Sequence, residues 1–155
     1  MTPNSAIFDI DGTLSDNEHR QHLLDASDTD KAVKGPNWQA FLAAAEHDAV
    51  KPGVVALLNA TRRSRYRIVL ITGRQEYQRA MTEAWLERHG IMFDELHMRP
   101  TGDHRPDTVI KFEIFERLTA AGYRFVYAVE DRKSVTQMWR ERAGILCLQV
   151  CEGDY

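Results

Sequence analysis

Cysteine is scarce in this chain, and its scarcity excludes two classes of protein. Only Cys147 and Cys151 occur among the 155 residues, which is too few for a disulfide framework. No cluster of His and Cys surrounds them, so the ligand spacing of a zinc site is missing too. Free thiols are typical of a reducing compartment, and we therefore expect a cytoplasmic protein.

A strong charge of one sign and long apolar runs are lacking as well. The 20 Lys and Arg residues nearly balance the 23 Asp and Glu residues, for a formal net charge of −3. This balance excludes a protein coated in basic charge for duplex binding, but it leaves a local basic groove open. No apolar run approaches the roughly 20 residues that cross a bilayer, and the amino terminus lacks the basic start of a secretory signal. We expect no membrane partner and a mature chain that begins at Met1.

The chain does contain an alternation of short apolar runs with segments of helical period. The runs have the length and composition of buried strands, and they lie at 6–8, 68–71, 95–98, 125–129 and 145–150. The helical segments lie around Trp38 and at 52–58, 81–86, 110–118 and 135–142. Strands that alternate with helices predict βαβ units and a mostly parallel sheet covered on both faces. We predict an α/β fold, a three-layer sandwich formed by a single domain over 1–155.

One segment, 15–50, separates the first strand from the next long helix by more than an ordinary loop. It holds an amphipathic helical pattern around Trp38. In a compact domain a connection of this length is usually a functional insertion. We predict a small helical cap there.

Polar residues follow three of the predicted strands, at the sheet edge where parallel α/β proteins bind ligands. They are Asp9, Asp11 and Thr13 after the first strand, Thr72, Gly73 and Arg74 after the second, and Glu130, Asp131 and Arg132 after the fourth. If the first strand continues through Asp9 and Asp11, their side chains could share one face. Carboxylates that converge at one edge repel each other unless a cation neutralises them. An all-oxygen set suits Mg²⁺, and we predict that Asp9, Asp11, Glu130 and Asp131 form its site.

Lys111 lies near the amino terminus of a predicted helix, where the helix dipole opposes a positive charge. Its position predicts an anion beside it, because the ammonium group and the helix terminus would together hold a phosphate. A solvated helix residue is the alternative interpretation.

Four ordered motifs resemble those of the haloacid dehalogenase superfamily of phosphatases. They are FDIDGTLSD at 8–16, LITGR at 70–74, Lys111, and VEDR at 129–132. A narrower likeness, over 102–115, 130–140 and 149–155, is to the 3′-phosphatase domain of bacteriophage-type polynucleotide kinase. The GxxxxGK[ST] loop of a kinase occurs nowhere in the chain.

The resemblance implies a role for each motif. Asp9 would be the nucleophile that forms an aspartyl phosphate, and Asp11 would be the general acid and then the base for water. Thr72 would donate its hydroxyl to the phosphate, and Lys111 would offset the charge of the transition state. Two carboxylates in different roles need different environments, so Asp11, away from the metal, could hold a proton when the leaving group departs.

The resemblance also implies metal ligands. Asp9, Asp131 and the backbone carbonyl of Asp11 would bind Mg²⁺. Glu130 stands where the phage-type enzymes carry Asp, so its share in coordination stays open.

Arg20, Arg74 and Asp107 match functional residues of the narrower family, and Gly73 and Arg132 complete the predicted substrate-binding set. Arginine suits a phosphorylated nucleotide because its planar fork can hold two oxygens. Asp107 could orient Lys111 or be an ordinary helix N-cap, and Arg20 could be a solvated surface residue.

A cluster of arginines at 62, 63, 65 and 67 looks like a nucleic-acid patch. The cluster lies between the end of a helix and the start of a strand, which predicts that it lies at the edge of the sheet opposite Asp9. We therefore favour a structural role.

The resulting hypothesis is a Mg²⁺-dependent phosphatase that removes 3′-phosphates from polynucleotide ends or nucleotides. A separate kinase or ligase would be its partner. A small-molecule phosphatase such as a 5′-nucleotidase is the first alternative, since the resemblance fades in the cap. A non-catalytic phosphate-binding module is the second.

Overall fold

The computed structural model describes residues 3–24 and 36–152. The strands are β1 (Asn4–Phe8), β2 (Ser15–Asp16), β3 (Ala49–Val50), β4 (Arg67–Gln75), β5 (Glu95–Arg99), β6 (Arg124–Glu130) and β7 (Leu146–Gln149). The helices are α1 (Glu18–Gln21), α2 (Pro36–Ala43), α3 (Pro52–Arg63), α4 (Arg79–Arg88), α5 (Asp107–Ala120) and α6 (Lys133–Gln137). Short helical turns cover Ala44–His47, Glu76–Gln78 and Met138–Arg142.

Five strands form a parallel sheet in the order β5-β4-β1-β6-β7. Strand β1 is central, with Phe8 opposite Leu70 of β4 and Val129 of β6. The carboxyl ends of β1, β4 and β6 therefore meet at one edge. The predicted α/β class with a mostly parallel sheet is confirmed.

Two apolar layers lie on the two faces of the sheet, because alternate side chains of each strand point to opposite faces. Phe8 and Leu70 pack with Leu58 and Trp85 on one face. On the other face, residues from β1 and β4 pack with Ile114 of α5 and with Trp139. Both tryptophans are fully buried. Helices thus cover both faces, as a three-layer sandwich requires.

Element boundaries follow the sequence signals in most places. Pro52 opens α3, and Gly90 and Gly122, both with positive φ, follow α4 and α5. The strand β4 continues through Gln75, four residues beyond the predicted end. The strand β1 ends at Phe8, so Asp9 and Asp11 do not share one face of a continuing strand.

A tight turn replaces that strand. The N–H groups of Thr13 and Ser15 both donate to the carbonyl of Ile10, and Gly12 has φ +76°. A side chain at Gly12 would collide with the carboxylate of Asp131. Gly12 therefore allows the turn and the approach of Asp131 at once.

The segment 15–50 begins and ends on an antiparallel pair, with Ser15 opposite Val50. Its described parts also hold α1, α2 and the turn Ala44–His47. Residues 25–35, which belong to the predicted cap, lie outside the described residues, as do 153–155 of the narrower likeness. Trp38 of α2 stacks on Phe41, with ring centroids 5.5 Å apart.

The arginine cluster lies where α3 ends and β4 begins, at the opposite edge of the sheet from Asp9. Arg67 lies 3.5 Å from Glu95 and over the ring of Tyr123. These contacts agree with the structural role that we favour. In the part of the chain that the structure describes, none of the helices is both long enough and apolar enough to cross a membrane.

Candidate active site

Three buried carboxylates meet at the carboxyl edge of the sheet. Asp9 follows β1, and Glu130 and Asp131 stand at the end of the neighbouring strand β6. One oxygen from each of the three lies within 4.8 Å of the other two. The Thr13 hydroxyl lies 3.3 Å from Oδ2 of Asp9 and 3.1 Å from Oδ1 of Asp131, so it can donate to one of them at a time.

Lys111 joins this cluster from α5. Its Nζ donates to Oδ1 of Asp9 and to Oε2 of Glu130, both at 2.8 Å. The lysine side chain is only 2% exposed. Burial lowers the pKa of Lys111, but the carboxylates of Asp9, Glu130 and Asp107 together raise it further than burial lowers it. The ammonium group is therefore charged, and the interpretation of Lys111 as a solvated residue is wrong.

One ammonium group does not neutralise three carboxylates. Burial and the charge of Glu130 raise the pKa of Asp9 well above its ordinary value, although Lys111 acts in the opposite direction. Burial likewise raises the pKa of Glu130. Since oxygen ligands and excess negative charge are what Mg²⁺ requires, the three residues fit a divalent cation.

Glu130 also bonds to its own chain. Its Oε1 accepts the N–H groups of Asp131 at 3.2 Å and Arg132 at 3.4 Å, while Oε2 accepts Lys111. The extra methylene relative to Asp lets one carboxylate reach the lysine and the backbone at once.

Asp11 lies apart from this cluster, between two arginines. Arg74 makes a bidentate contact, with Nε 2.9 Å from Oδ2 and Nη2 2.8 Å from Oδ1. Arg20 Nη2 donates to the same Oδ1 at 2.5 Å. Burial acts to raise the pKa of Asp11, but the two guanidinium groups lower it well below its usual range. Asp11 is therefore ionised before substrate binds, and its protonation when the leaving group departs stays a prediction.

Arg20 and Arg74, the two arginines predicted to bind substrate, lie around Asp11. Both side chains are only 2% exposed. Beyond Asp11, Arg20 donates to Asp48 and to the carbonyl of Phe41, and Arg74 donates to Thr82. These hydrogen bonds all go to protein groups, so the two arginines hold Asp11, and their role toward substrate stays a prediction. The interpretation of Arg20 as a solvated residue is wrong, because its side chain is buried.

Asp48 is a central residue of the site that the sequence did not reveal. Its fully buried side chain accepts Nε and Nη2 of Arg20, each at 2.8 Å, and the hydroxyl of Ser15 at 2.9 Å. The ring of His19 lies 2.7 Å from the same carboxylate. No motif contains Asp48, and an isolated Asp before a short strand carries no sequence signal.

Asp48→Asn should lower kcat roughly 10²-fold, because a misplaced Arg20 no longer fixes Asp11. It should also cost about 1.5–3 kcal/mol of unfolding free energy, the usual scale of a hydrogen bond to a charged group. Steady-state kinetics and thermal unfolding measure both effects. Ser15→Ala, which removes a neutral partner of Asp48, is the control and should change kcat far less. Equal losses in the two variants would contradict the positioning role.

Asp107 is the first residue of α5, and Pro106 is the N-cap. The N-cap interpretation of Asp107 is therefore wrong. Its carboxylate instead accepts Arg99 and, at 3.0 Å, Nη1 of Arg132. None of the described hydrogen bonds joins it to Lys111, although its negative charge contributes to the raised pKa of that lysine. A side chain at Gly73 would come within 2.7 Å of Asp107, so glycine lets the two loops touch.

Arg99 is a second residue that sequence reasoning missed. Its fork donates to Asp107 and to the carbonyls of Gly73, Asp103 and Arg105. It thereby joins the end of β4 to the loop before α5. Arginine at the end of a strand carries no signal that separates this role from a surface one.

Thr72 is fully buried within β4, at the same edge of the sheet. Its hydroxyl accepts the N–H of Arg74 at 3.2 Å. Among the described contacts none joins Thr72 to Asp9 or Lys111. Its predicted role toward the phosphate stays a prediction.

The sequence model of one family, the polynucleotide kinase PNKP phosphatase domain, matches residues 3–155. The chain belongs to this family. The resemblance to haloacid dehalogenase phosphatases, and to the polynucleotide kinase branch in particular, is confirmed.

Solved structures agree with this family. A chain in a structure described as the Pnkp1/Rnl/Hen1 complex superposes with a TM-score of 0.81 and 30% identity, over 99% of this chain and 48% of that one. A class C acid phosphatase from Bacillus anthracis shares the fold, with a TM-score of 0.70 and 17% identity over 100% of this chain and 69% of that one.

A curated relative from Autographa californica nuclear polyhedrosis virus is described as a candidate bifunctional polynucleotide kinase/RNA ligase. It is 29% identical over 89 residues, which are 57% of this chain and 13% of that protein. This chain thus spans about half of the solved relative and a small part of the viral one.

Proposed function

We propose that this phosphatase domain removes 3′-phosphates from polynucleotide ends or nucleotides with Mg²⁺, through an aspartyl phosphate. The observation that carries the proposal is the arrangement around Asp9. Its carboxylate touches Lys111 inside an acidic cluster, and Asp11, two residues away, is held by two buried arginines. A nucleophile and an acid/base residue thus stand next to each other in different environments.

Asp9, Asp131 and the backbone carbonyl of Asp11 would hold Mg²⁺, with Glu130 as a further candidate ligand. The ion would supply positive charge for the phosphoryl oxygens and for the cluster. An oxygen of Asp9 attacks phosphorus, and the bond from phosphorus to the 3′ oxygen breaks. Lys111 offsets the charge on the phosphoryl group, and the Thr72 hydroxyl donates to one of its oxygens.

Asp11 must give a proton to the leaving 3′ oxygen. The incoming phosphate dianion raises the pKa of Asp11 against the effect of the two arginines, so that Asp11 takes up a proton from water as the substrate binds. In the second step Asp11 takes a proton from water, the water oxygen attacks the aspartyl phosphate, and inorganic phosphate and free Asp9 result. The arginines favour the ionised form that this second step needs.

The partners follow from the relatives. One is described as a kinase and RNA ligase, and another is part of a structure described as the Pnkp1/Rnl/Hen1 complex. A phosphatase that leaves a free 3′-hydroxyl produces the end that a ligase joins. We therefore extend the proposal to an end-repair role beside a kinase and a ligase.

A substrate panel tests the proposal. The protein with Mg²⁺ is incubated separately with a 3′-phosphorylated oligonucleotide, its 5′-phosphorylated counterpart, 3′- and 5′-mononucleotides and a sugar phosphate. Released phosphate is measured. We expect turnover of the 3′ species and its loss on chelation of Mg²⁺. Preference for the 5′-mononucleotide or the sugar phosphate would establish a small-molecule phosphatase, and preference for the 5′-phosphorylated oligonucleotide would contradict the 3′ assignment. Phosphate binding without turnover would establish a binding module.

A further inference from the structure

We propose that Arg132 binds the internucleotide phosphate next to the 3′ end and so selects polynucleotides over mononucleotides. This inference rests on the proposed 3′-phosphatase function and adds its substrate class. The site holds several cationic side chains. The side chains of Arg20, Arg74 and Lys111 are only 2% exposed and are bonded to the site's own carboxylates.

Arg132 differs from these three cations in exposure. Its side chain is 36% exposed, and its described side-chain hydrogen bond runs from Nη1 to Asp107 at 3.0 Å. Arg105, which is also exposed at this edge, is held by Asp103 and Glu113. A guanidinium group with one anchored nitrogen keeps donors for a phosphate, and its planar fork matches two phosphate oxygens.

The position of Arg132 follows from the strand order. Arg132 follows β6, and its partner Asp107 lies against Gly73 of β4. Strand β1 lies between β4 and β6. The link from Arg132 to Asp107 therefore passes across the end of β1, the strand that precedes Asp9, and it forms one wall of the site.

The charges around the site determine which phosphate of the substrate Arg132 can bind. The reacting phosphoryl group must reach Asp9, where Lys111 already stands. A polynucleotide brings a second anion, the phosphodiester of its last linkage, past a rim whose buried carboxylates repel it. Arg132 supplies the cation at that rim. A 3′-mononucleotide carries no such phosphodiester, so it gains less from Arg132.

Arg132→Gln tests the inference with a 3′-phosphorylated dinucleotide and a 3′-mononucleotide of the same base. The expected loss of kcat/KM is roughly 10–100-fold for the dinucleotide, through KM, and at least fivefold smaller for the mononucleotide. The slope of log(kcat/KM) against log salt for the dinucleotide should fall by about 1. Arg63→Gln, which removes an exposed arginine at the opposite edge of the sheet, should change neither kcat/KM on the two substrates nor the salt slope.

Two results would overturn the inference. Equal losses on both substrates would mean that Arg132 acts on the reacting phosphoryl group, and no loss on the dinucleotide would mean that it contacts no substrate. In either case the wild-type protein still hydrolyses 3′-phosphates and the proposed function survives. A wild-type protein inactive on both substrates would instead overturn the proposed function and this inference with it. Thermal unfolding of Arg132→Gln shows whether the fold is intact.

Discussion

Asp9→Asn should lower kcat by roughly four orders of magnitude or more, the scale seen when other enzymes lose their nucleophile. The amide is nearly the same size as the carboxylate, but it cannot form the aspartyl phosphate. The phosphate pocket itself should persist, because Lys111 keeps its bond to Glu130. Phosphate release from a 3′-phosphorylated oligonucleotide measures the loss.

The same substitution should leave the metal-free protein at least as stable as the wild type at neutral pH. Burial and Glu130 raise the pKa of Asp9 in the folded chain, so folding binds a proton there. Stability contributed by that proton is present at low pH and is lost as pH rises through the folded-state pKa. Thermal unfolding without divalent cations, at acidic and neutral pH, should show that the stability of the variant relative to the wild type increases as pH rises.

Two outcomes would count against this account of Asp9. Full activity in the variant would show that another group attacks phosphorus. A large loss of stability at neutral pH would show that the Asp9 carboxylate stabilises the fold, contrary to its raised pKa.

Lys111→Met, unlike Asp9→Asn, should lower the stability of the protein strongly as well as its activity. Removal of the ammonium group leaves Asp9 and Glu130 buried without their shared partner, which should cost about 3–5 kcal/mol of unfolding free energy. Turnover should also fall roughly 10²–10³-fold, the scale of a lost donor to transition-state charge. Denaturant unfolding and steady-state kinetics on the same preparation measure the two losses.

A double variant separates the two effects of Lys111→Met. Adding Glu130→Gln removes one of the orphaned charges, so Lys111→Met with Glu130→Gln should recover part of the stability but none of the activity. Recovery of activity with stability would mean that the lysine serves folding alone. Lys111→Arg keeps the charge but not the shape of a compact ammonium group, and should retain stability better than turnover.

Much of this fold could be predicted because local signals and tertiary demands agree. The apolar runs that become β1, β4 and β6 are followed by polar residues, and parallel strands place those residues at one edge. Asp9, Lys111, Glu130 and Asp131 then meet in the structure. The ordered motifs placed each residue on its element, and the parallel sheet brought them together.

The arginine contacts could not be predicted, because they depend on pairings between distant segments. Arg20 and Arg74 look like substrate ligands in a sequence, since free arginines suit phosphate. Their partners, Asp11 and Asp48, are fixed only when the chain closes. The turn after β1 was missed for a related reason. Gly12 permits the turn, but the local sequence DxDG is compatible with both a strand and a turn. The approach of Asp131, a distant residue, favours the turn.

The pairing of Ser15 with Val50 has an evolutionary consequence. Arg20, which donates to Asp11, and Asp48 lie near opposite ends of the inserted chain and bond to each other. The sequence between Arg20 and Asp48 can lengthen, shorten or be exchanged while the strand pair of Ser15 and Val50 keeps its register. We therefore expect that grafting the central portion from a relative would change substrate preference while the contacts of Arg20 with Asp11 and Asp48 stay unaltered.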